Sequence, residues 1–432
     1  MLKTNVVGSV LVVFAGSVLL SGCSDNGTGV KDYEDNVVAE QRSAKAYNSD
    51  PSASDDQIAD LSRGVNQFGL DLFGVLGEQE QNVFFSPYSV ASALTMVYGG
   101  TDGDVASELE QVLGISSLAP SWVHEVHNRV GLELQTRGEG AQGREGEGFS
   151  LNVDNTLWGE KTYQFREPFL DILSVNYDCG VRTVDFINQP VESKDLINSW
   201  VEDRTNGKIE NLIKELSVYT RMVLTNTVYF DAAWQAKFSR DYTHEKMFKR
   251  SESDSVQVEF MREPTGSFAY SEGEDFKAVE MPYSGGEIAM TVILPKGDLD
   301  QFAVSLDETK LSSILSALEL TQVELEIPRF SYTYGTVSFK EELEMLGLER
   351  FFSSELPGIG DKLKITDVLH QAFVAVDEDG TTAAAATAVI GEVTSMPPQH
   401  KKHFCADKPF IFLIRDIPTG TVLFMGKVVD PS

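Results

Sequence analysis

Apolar residues recur along the chain at two spacings, which predict helices in some segments and strands in others. Near residue 59 apolar side chains begin to return every three or four residues, which places them on one face of a helix. They are Ile58, Leu61, Val65, Phe68, Leu72, Phe73 and Leu76. A second helix begins after Ser86, since a serine hydroxyl caps a helix start and Pro87 suits the first helical position.

Short runs rich in β-branched and aromatic residues predict strands through the rest of the chain. They cover residues 151–157, 222–230, 288–294, 323–330, 363–365, 372–376, 410–414 and 422–428. Helices are predicted at 192–203 and 338–346, so strands and helices do not alternate regularly. That order favours an α+β fold over a doubly wound sheet. Because no repeat or domain-sized linker interrupts them, residues 59–432 are predicted to form one domain.

The composition excludes several classes of partner. The chain has 66 acidic and 35 basic residues, which gives a formal net charge of −31. Phosphate and sulfate groups bind to basic patches, so we expect neither nucleic acid nor heparin as a partner. The charge itself is typical of a solvated surface, and we expect a monomer.

Residues 1–22 have the pattern of an export signal, with Lys3 followed by an apolar run of signal-peptide length. The run ends in Leu20-Ser21-Gly22-Cys23, which is similar to the bacterial lipobox, whose cysteine becomes acylated. We therefore expect an exported protein that is lipid-anchored to a bacterial envelope through Cys23, at the outer membrane or cell surface. The alternative is an ordinary cleaved signal with a chance cysteine. Residues 23–58 are acidic and polar, and they are predicted to be a flexible tether.

Two local patterns have the residue types of a cofactor or metal site but not the context. Residues 138–143 have the glycine spacing of a dinucleotide loop, yet no apolar strand precedes them. His124 and His127 lack the spacing of a zinc-protease helix, so a solvated helix is predicted there. We expect no cofactor and no metal. Cys179 and Cys405 are expected to be thiols, mostly buried, with a disulfide between them as the alternative.

Several motifs, in one order, resemble those of the serpin family over residues 59–432. They lie at 82–94, 151–158, 197–201, 205–209, 224–230, 327–330, 367–372 and 423–428. The resemblance implies the serpin fold, with mixed helices around three β-sheets and an exposed reactive loop. It also implies an inhibitor rather than an enzyme, one that traps a serine-type protease in a covalent complex. A cysteine protease is the second class of target.

A segment of small residues after an acidic cluster resembles the hinge of the family's reactive loop. The hinge residues are Glu378, Gly380, Thr381, Thr382, Ala383, Ala384, Ala385 and Ala386. Small side chains would let this segment enter a sheet as a new strand. Counting from Gly380 at the usual family length places the reactive bond between Thr394 and Ser395, with Val393 as the second choice. A small or β-branched, uncharged residue there favours elastase- or subtilisin-like proteases over trypsin-like ones.

Two further groups match family positions that control entry into the main sheet. Ser86, Ser89, Asn226 and His370 match a polar cluster beneath the sheet opening, which we call the sheet gate. Ordinary capping or satisfaction of buried polar groups is the alternative role for these residues. Trp234, Arg329 and Glu378 match the top of the sheet, where the arginine and the glutamate form a charge pair.

Two other functions stand as alternatives. A serpin that no longer inhibits would act as a binding or carrier protein, and it would be expected to have bulky or charged hinge residues. Thr381 and the four alanines at 383–386 do not fit that expectation. A serine hydrolase would need a Gly-x-Ser-x-Gly elbow and a catalytic triad, and the sequence has no such elbow and no credible triad.

Overall fold

The computed structural model describes residues 39–76, 81–141, 150–381 and 401–432. Several predicted features lie outside these ranges. They are the export signal at 1–22, the lipidation site Cys23, the hinge residues Thr382 to Ala386, and the reactive-bond residues Val393, Thr394 and Ser395.

The described residues form ten α-helices and one short 3-10 helix. The α-helices are α1 (Asp55–Leu76), α2 (Pro87–Tyr98), α3 (Gly103–Val112), α4 (Pro120–Thr136), α5 (Glu167–Tyr177), α6 (Pro190–Arg204), α7 (Leu299–Val304), α8 (Glu308–Ser316), α9 (Lys340–Met345) and α10 (Glu349–Ser353). The 3-10 helix covers Arg240–Tyr242. Among the described residues, no helix combines the length and the apolar character needed to cross a membrane.

Sixteen strands make up the rest of the regular structure in these ranges. They are β1 (Ala39–Gln41), β2 (Val83–Phe85), β3 (Ser150–Glu160), β4 (Val181–Val184), β5 (Met222–Ala233), β6 (His244–Lys249), β7 (Ser255–Glu272), β8 (Phe276–Pro282), β9 (Ile288–Pro295), β10 (Glu319–Pro328), β11 (Phe330–Ser338), β12 (Val368–Val376), β13 (Gly380–Thr381), β14 (Lys402–Cys405), β15 (Phe410–Asp416) and β16 (Val422–Val428).

The strands form two hydrogen-bonded sheets. One has seven strands in the order β1-β4-β3-β5-β13-β12-β11. The other has nine, in the order β14-β10-β7-β8-β9-β15-β16-β2, with β6 paired to β7. Three sheets were expected. The long strand β7 pairs with β6 near its start and with β8 near its end, and this joins two of the three expected sheets into one continuous sheet.

Helix α2 connects the two sheets through the core. Every residue of α2 is buried, and the helix contacts β3 and β5 of the seven-stranded sheet and β16 of the nine-stranded one. The predicted start is confirmed, since Ser86 is the N-cap and its hydroxyl accepts a hydrogen bond from the Ser89 amide at 3.1 Å. The cap therefore fixes the start of this helix beneath the seven-stranded sheet.

The folded domain begins earlier than the sequence predicts. Residues 39–58 were expected to belong to the tether, yet β1 pairs with β4 at the edge of the sheet, and Asp55 begins α1. Between them, the Tyr47 hydroxyl donates to Asn128 at 2.7 Å, and the Asn48 amide donates to the Val175 carbonyl at 2.9 Å. Backbone pairing and side-chain hydrogen bonds hold this polar segment, so apolar periodicity could not reveal it.

The two histidines of α4 are buried, which corrects the expectation of a solvated helix. His124 is 8% exposed and His127 is 3% exposed, because α4 packs against α1 and α5. Burial disfavours the charged imidazolium, so it lowers the pKa of His124 to about 4 and that of His127 to about 3. Both side chains are thus neutral core residues.

Candidate functional site

Two neighbouring strands of the seven-stranded sheet run parallel and are separated at one end. β5 and β12 pair directly from Leu224 opposite Val368 to Val228 opposite Ala372. Beyond that stretch β13 lies between them, antiparallel to both, with Thr381 opposite Ala232 on one side and Val376 on the other. We call the boundary between β5 and β12 the seam. The first two hinge residues after the acidic cluster therefore already occupy its upper end.

Both residues of β13 fit this position closely. A Cβ atom on Gly380 would collide with the Ala232 carbonyl oxygen and lie 2.8 Å from the Ala233 Cα, so the backbone approach requires glycine. Thr381 is 2% exposed, and its hydroxyl shares a hydrogen bond with the Tyr283 hydroxyl at 2.6 Å. A small hydroxyl residue is thus buried and satisfied in the seam.

A tight turn joins β12 to β13, and we call residues 377–380 the hinge turn. The Asp377 amide donates to the Gly380 carbonyl at 3.0 Å, which closes the turn. Trp234 donates to it twice, from its indole to the Asp377 carbonyl at 2.8 Å and from its amide to the Asp379 carbonyl at 3.0 Å. The indole also stacks on Tyr283 with ring centroids 4.5 Å apart. Trp234, which was expected at the top of the sheet, therefore contacts the hinge turn and holds it through these two hydrogen bonds.

The predicted pair of Arg329 and Glu378 is present. The Glu378 carboxylate is 1% exposed and accepts from Arg329 Nε at 2.9 Å and Nη2 at 2.5 Å. Its other oxygen accepts from the Thr243 hydroxyl at 2.5 Å. Burial raises the pKa of Glu378, but the hydrogen bonds from Arg329 and Thr243 outweigh it and hold that pKa below its usual value. Glu378 is thus a charged, fully bonded group at neutral pH.

The four residues of the sheet gate lie together. The Ser86 amide donates to His370 Nε2 at 3.4 Å, and His370 Nδ1 lies 2.6 Å from Asn226 Oδ1. Asn226 Nδ2 donates to Ser89 Oγ at 2.6 Å. Asn226 and His370 are directly opposite each other across the seam, in its parallel stretch. Parting β5 from β12 at this level would break the bond between them.

His370 has a defined protonation state. Because Nε2 accepts a hydrogen bond from the Ser86 amide, the single ring proton is on Nδ1, which donates a hydrogen bond to Asn226 Oδ1. His370 is 0% exposed, and this burial lowers its pKa to about 3. The gate is therefore closed by a neutral imidazole.

Sequence reasoning missed one member of this cluster, Asn155. Its Oδ1 accepts from Asn226 Nδ2 at 2.6 Å and from Ser89 Oγ at 3.2 Å. A signal was available, since residues 151, 155 and 157 share one face of β3 and Asn155 is polar beside Leu151 and Leu157. Tyr283 and Asp379 were also missed, because their partners come from distant parts of the chain.

A cluster of possible metal ligands lies away from the seam. Glu324, Glu326 and His403 each offer a ligand atom, and these atoms lie within 4.8 Å of one another. Basic side chains of the protein already pair with the two carboxylates. Lys246 Nζ lies 2.5 Å from a Glu326 carboxylate oxygen, and Arg262 Nη2 lies 2.5 Å from a Glu324 carboxylate oxygen. This arrangement is an ion-pair network that fastens β6 and β7 to β10, so it gives no support for a metal.

Neither Cys179 nor Cys405 forms a disulfide, in agreement with the expected thiols. Cys179 is buried, whereas Cys405 is half-buried beside Lys246. Burial raises the pKa of the Cys405 thiol to about 11, despite the opposing effect of the Lys246 ammonium. Such a thiol is protonated at neutral pH and is a poor nucleophile.

Comparison with known proteins assigns the chain to a family. The family model described as serpin (serine protease inhibitor) matches residues 63–431. An uncharacterized serpin-like protein of Thermococcus kodakarensis is 34% identical over 100% of both chains. Leukocyte elastase inhibitor A of Rattus norvegicus is 34% identical, over 86% of this chain and 99% of its own.

A solved structure supports the same assignment. The native state of the thermophilic serpin tengpin superposes with a TM-score of 0.79 and 25% identity, over 89% of this chain and 97% of that one. The family model, the relatives in sequence and the solved structure all agree on one assignment. This chain belongs to the serpin family.

Proposed function

We propose that this protein inhibits serine-type proteases by suicide cleavage of its reactive loop and insertion of that loop into the seam. One observation carries the proposal: β13 lies between β5 and β12, with Gly380 and Thr381 paired to β5 and Thr381 also paired to β12. The strand that would grow from them would be antiparallel to both neighbours, which is a regular sheet arrangement.

The family gives the coarser part of this statement. Serpins are mostly protease inhibitors rather than enzymes, and they generally target proteases. An elastase- or subtilisin-like target is our proposal for this chain. It is supported by the name of the rat relative, a leukocyte elastase inhibitor, and by the uncharged Thr394 at the proposed reactive bond.

The chemistry starts as ordinary proteolysis. The protease serine oxygen attacks the Thr394 carbonyl carbon, and the peptide bond to Ser395 breaks. The Ser395 nitrogen leaves as an amine that takes up a proton, and Thr394 stays on the protease as an ester. Hydrolysis of that ester would release an active protease, so inhibition requires a faster competing step.

Loop insertion would be that step. Fifteen residues from Gly380 to Thr394 span roughly 50 Å as a strand, enough to carry the attached protease along the sheet. Each new ladder bond contributes on the order of 1 kcal/mol, and burial of apolar side chains adds to the sum. A total above roughly ten kcal/mol could distort the protease active site before water reaches the ester.

We further propose that the protein is exported and anchored to a bacterial envelope by acyl chains on Cys23. The signal-like residues 1–22 and the Leu20-Ser21-Gly22-Cys23 sequence support this location. Residues 24–38, between the anchor and β1, would then let the domain meet soluble proteases outside the membrane.

Incubation with pancreatic elastase or subtilisin, followed by a denaturing gel, tests the inhibitory function. We expect a covalent complex that survives SDS and a released fragment that begins at Ser395. Cleavage without a complex would instead indicate the non-inhibitory binding or carrier protein. Turnover of an ester substrate by the protein alone would indicate a hydrolase.

A further inference from the structure

The hinge turn contains a second buried carboxylate, Asp379, whose partners follow β5 in the chain. Its side chain is 4% exposed, and it accepts a hydrogen bond from Arg240 Nη2 at 2.7 Å and lies 3.2 Å from Lys237 Nζ. A carboxylate this deeply buried needs compensating charge, and here two cations supply it. Burial raises the pKa of Asp379, but Arg240 and Lys237 outweigh it and lower that pKa below its usual value.

The segment that holds these cations is also bound to the turn through its backbone. The Phe238 amide donates to the Glu378 carbonyl at 3.0 Å, and the Trp234 amide donates to the Asp379 carbonyl at 3.0 Å. This segment continues directly from Ala232 and Ala233, with which β13 pairs. The Asp379 ion pairs therefore tie the hinge turn to the end of the strand that β13 must follow.

We propose that Asp379, held by Lys237 and Arg240, is a positioning residue that keeps β13 in the seam and so preforms the start of the inserting strand. This inference rests on the proposed inhibitory function. Forming a hairpin turn costs chain entropy before any ladder bond repays it. With the turn and the first paired residues in place, the cleaved loop only extends an existing ladder. Insertion is therefore faster relative to hydrolysis of the acyl-enzyme.

The position of β13 shows whether the ion pairs of Asp379 promote insertion or oppose it. Ion pairs that oppose insertion would hold the hinge outside the seam. Gly380 and Thr381 are instead inside it, and the ion pairs of Asp379 are made in that arrangement. Removing the Asp379 charge should accordingly favour withdrawal of β13.

The first test measures the number of inhibitor molecules consumed per protease molecule inhibited. With elastase, Asp379→Asn should raise that ratio by roughly three- to tenfold, the range expected for the net loss of one ordinary hydrogen bond, because the asparagine side chain keeps one acceptor oxygen. The rate of the initial attack should not change, because residues 381–393 separate the turn from the proposed reactive bond along the chain. Lys237→Met combined with Arg240→Met should act in the same direction, and Asp379→Glu should restore most of the wild-type ratio.

A matched control separates positioning from general loss of stability. Glu280 is a similarly buried carboxylate that accepts from Arg415 Nε at 2.7 Å, on β8 of the nine-stranded sheet. Glu280→Gln should lower the melting temperature and leave the ratio unchanged. An equal rise in this control, or an unchanged ratio in Asp379→Asn, would overturn the inference.

The second test does not depend on inhibition. Amide hydrogen exchange over residues 377–381 should become at least about tenfold faster in Asp379→Asn than in the wild type, and Glu280→Gln should not share this change. Unchanged exchange in Asp379→Asn overturns the positioning role. A wild-type protein that forms no protease complex would count against the proposed function alone, because hydrogen exchange would still decide the role of Asp379.

Discussion

Thr381 is already buried in the intact protein, so a substitution there acts on the hinge before cleavage as well as after it. Thr381→Arg would put a charge where the side chain is 2% exposed and bonded to Tyr283, at a cost of several kcal/mol. We expect insertion to slow and the variant to behave as a substrate, with cleavage at the same bond, no stable complex, and recovery of protease activity. A denaturing gel and an activity assay measure these outcomes.

The control for this change is Thr381→Ser, which keeps a hydroxyl for Tyr283 and removes one methyl group. It should inhibit like the wild type. If Thr381→Arg inhibits with an unchanged ratio of inhibitor to protease, rapid loop insertion is not the mechanism of this protein.

The residue at the reactive bond should set the class of protease that is inhibited. Thr394→Arg should bring inhibition of trypsin-like proteases and weaken inhibition of elastase by at least about tenfold, because their specificity pockets prefer different side chains. Inhibition rates with the two proteases measure the change. N-terminal sequencing of the released fragment locates the bond, and a cut outside residues 393–395 would show that the assignment is wrong.

Neutral His370 should make stability depend on pH. Its folded-state pKa of about 3 is below the ordinary value of 6.5, so the unfolded chain binds the proton first as pH falls. The contribution is fully present above pH 6.5 and decreases below it, by about 2 kcal/mol between pH 7 and pH 5. Urea unfolding of His370→Asn should show a pH-dependent loss smaller by that amount.

Ser86→Ala is the matched control, since it removes a neighbour of His370 in the gate but no titrating group. It should lower the stability similarly at pH 7 and pH 5. An identical pH dependence in His370→Asn and the wild type would show that His370 is not protonated on unfolding in this range.

At the scale of helices and strands, local pattern predicted those elements that one apolar face or one capping residue specifies. The predicted helix at 192–203 is α6, and the predicted strand at 422–428 is β16. The strand expected at 363–365 is absent: Leu363 and Ile365 are buried within irregular chain. A short apolar run predicts that a segment is buried, but it does not show whether the buried segment is a strand or irregular chain.

Elements and contacts that depend on a distant partner could not be predicted in this way. β1 has the sequence Ala39-Glu40-Gln41, which lacks β-forming side chains and is a strand because β4 supplies its hydrogen bonds. The acidic run at 377–379 has the composition of an exposed loop, and the burial of Glu378 and Asp379 within it follows from cations at positions 237, 240 and 329. Of the candidate site, the gate and the Arg329–Glu378 pair were predicted through the family resemblance.

The segment before α1 should contribute to stability. A chain that starts at residue 48 loses β1, the Tyr47 hydrogen bond and the hydroxyl of Ser43, which is itself buried. We expect its melting temperature to fall by about 5 °C relative to a chain that starts at residue 39. The matched truncation at residue 39 keeps all described contacts. Equal melting temperatures for the two would show that this segment adds nothing to stability.

For the whole molecule, the proposed anchor at Cys23 would decide where the proposed inhibitor acts. Pulse-labelling in a bacterial host with a palmitate analogue should tag the wild type, and Cys23→Ala should remain unlabelled. The wild type should sediment with membranes, and the variant should appear in the soluble fraction. Equal labelling of both proteins would contradict acylation at Cys23.

The strand directions around the seam have a consequence for how often each molecule can act. β5 and β12 are parallel neighbours, and a strand placed between them, continuing β13, converts one parallel contact into two antiparallel ladders. Antiparallel pairing is slightly more stable per residue, and reversal would require both ladders to open together. If the protein inhibits as proposed, each copy therefore works once. The amount of protease that can be neutralised would then be set by the number of copies present, not by binding affinity.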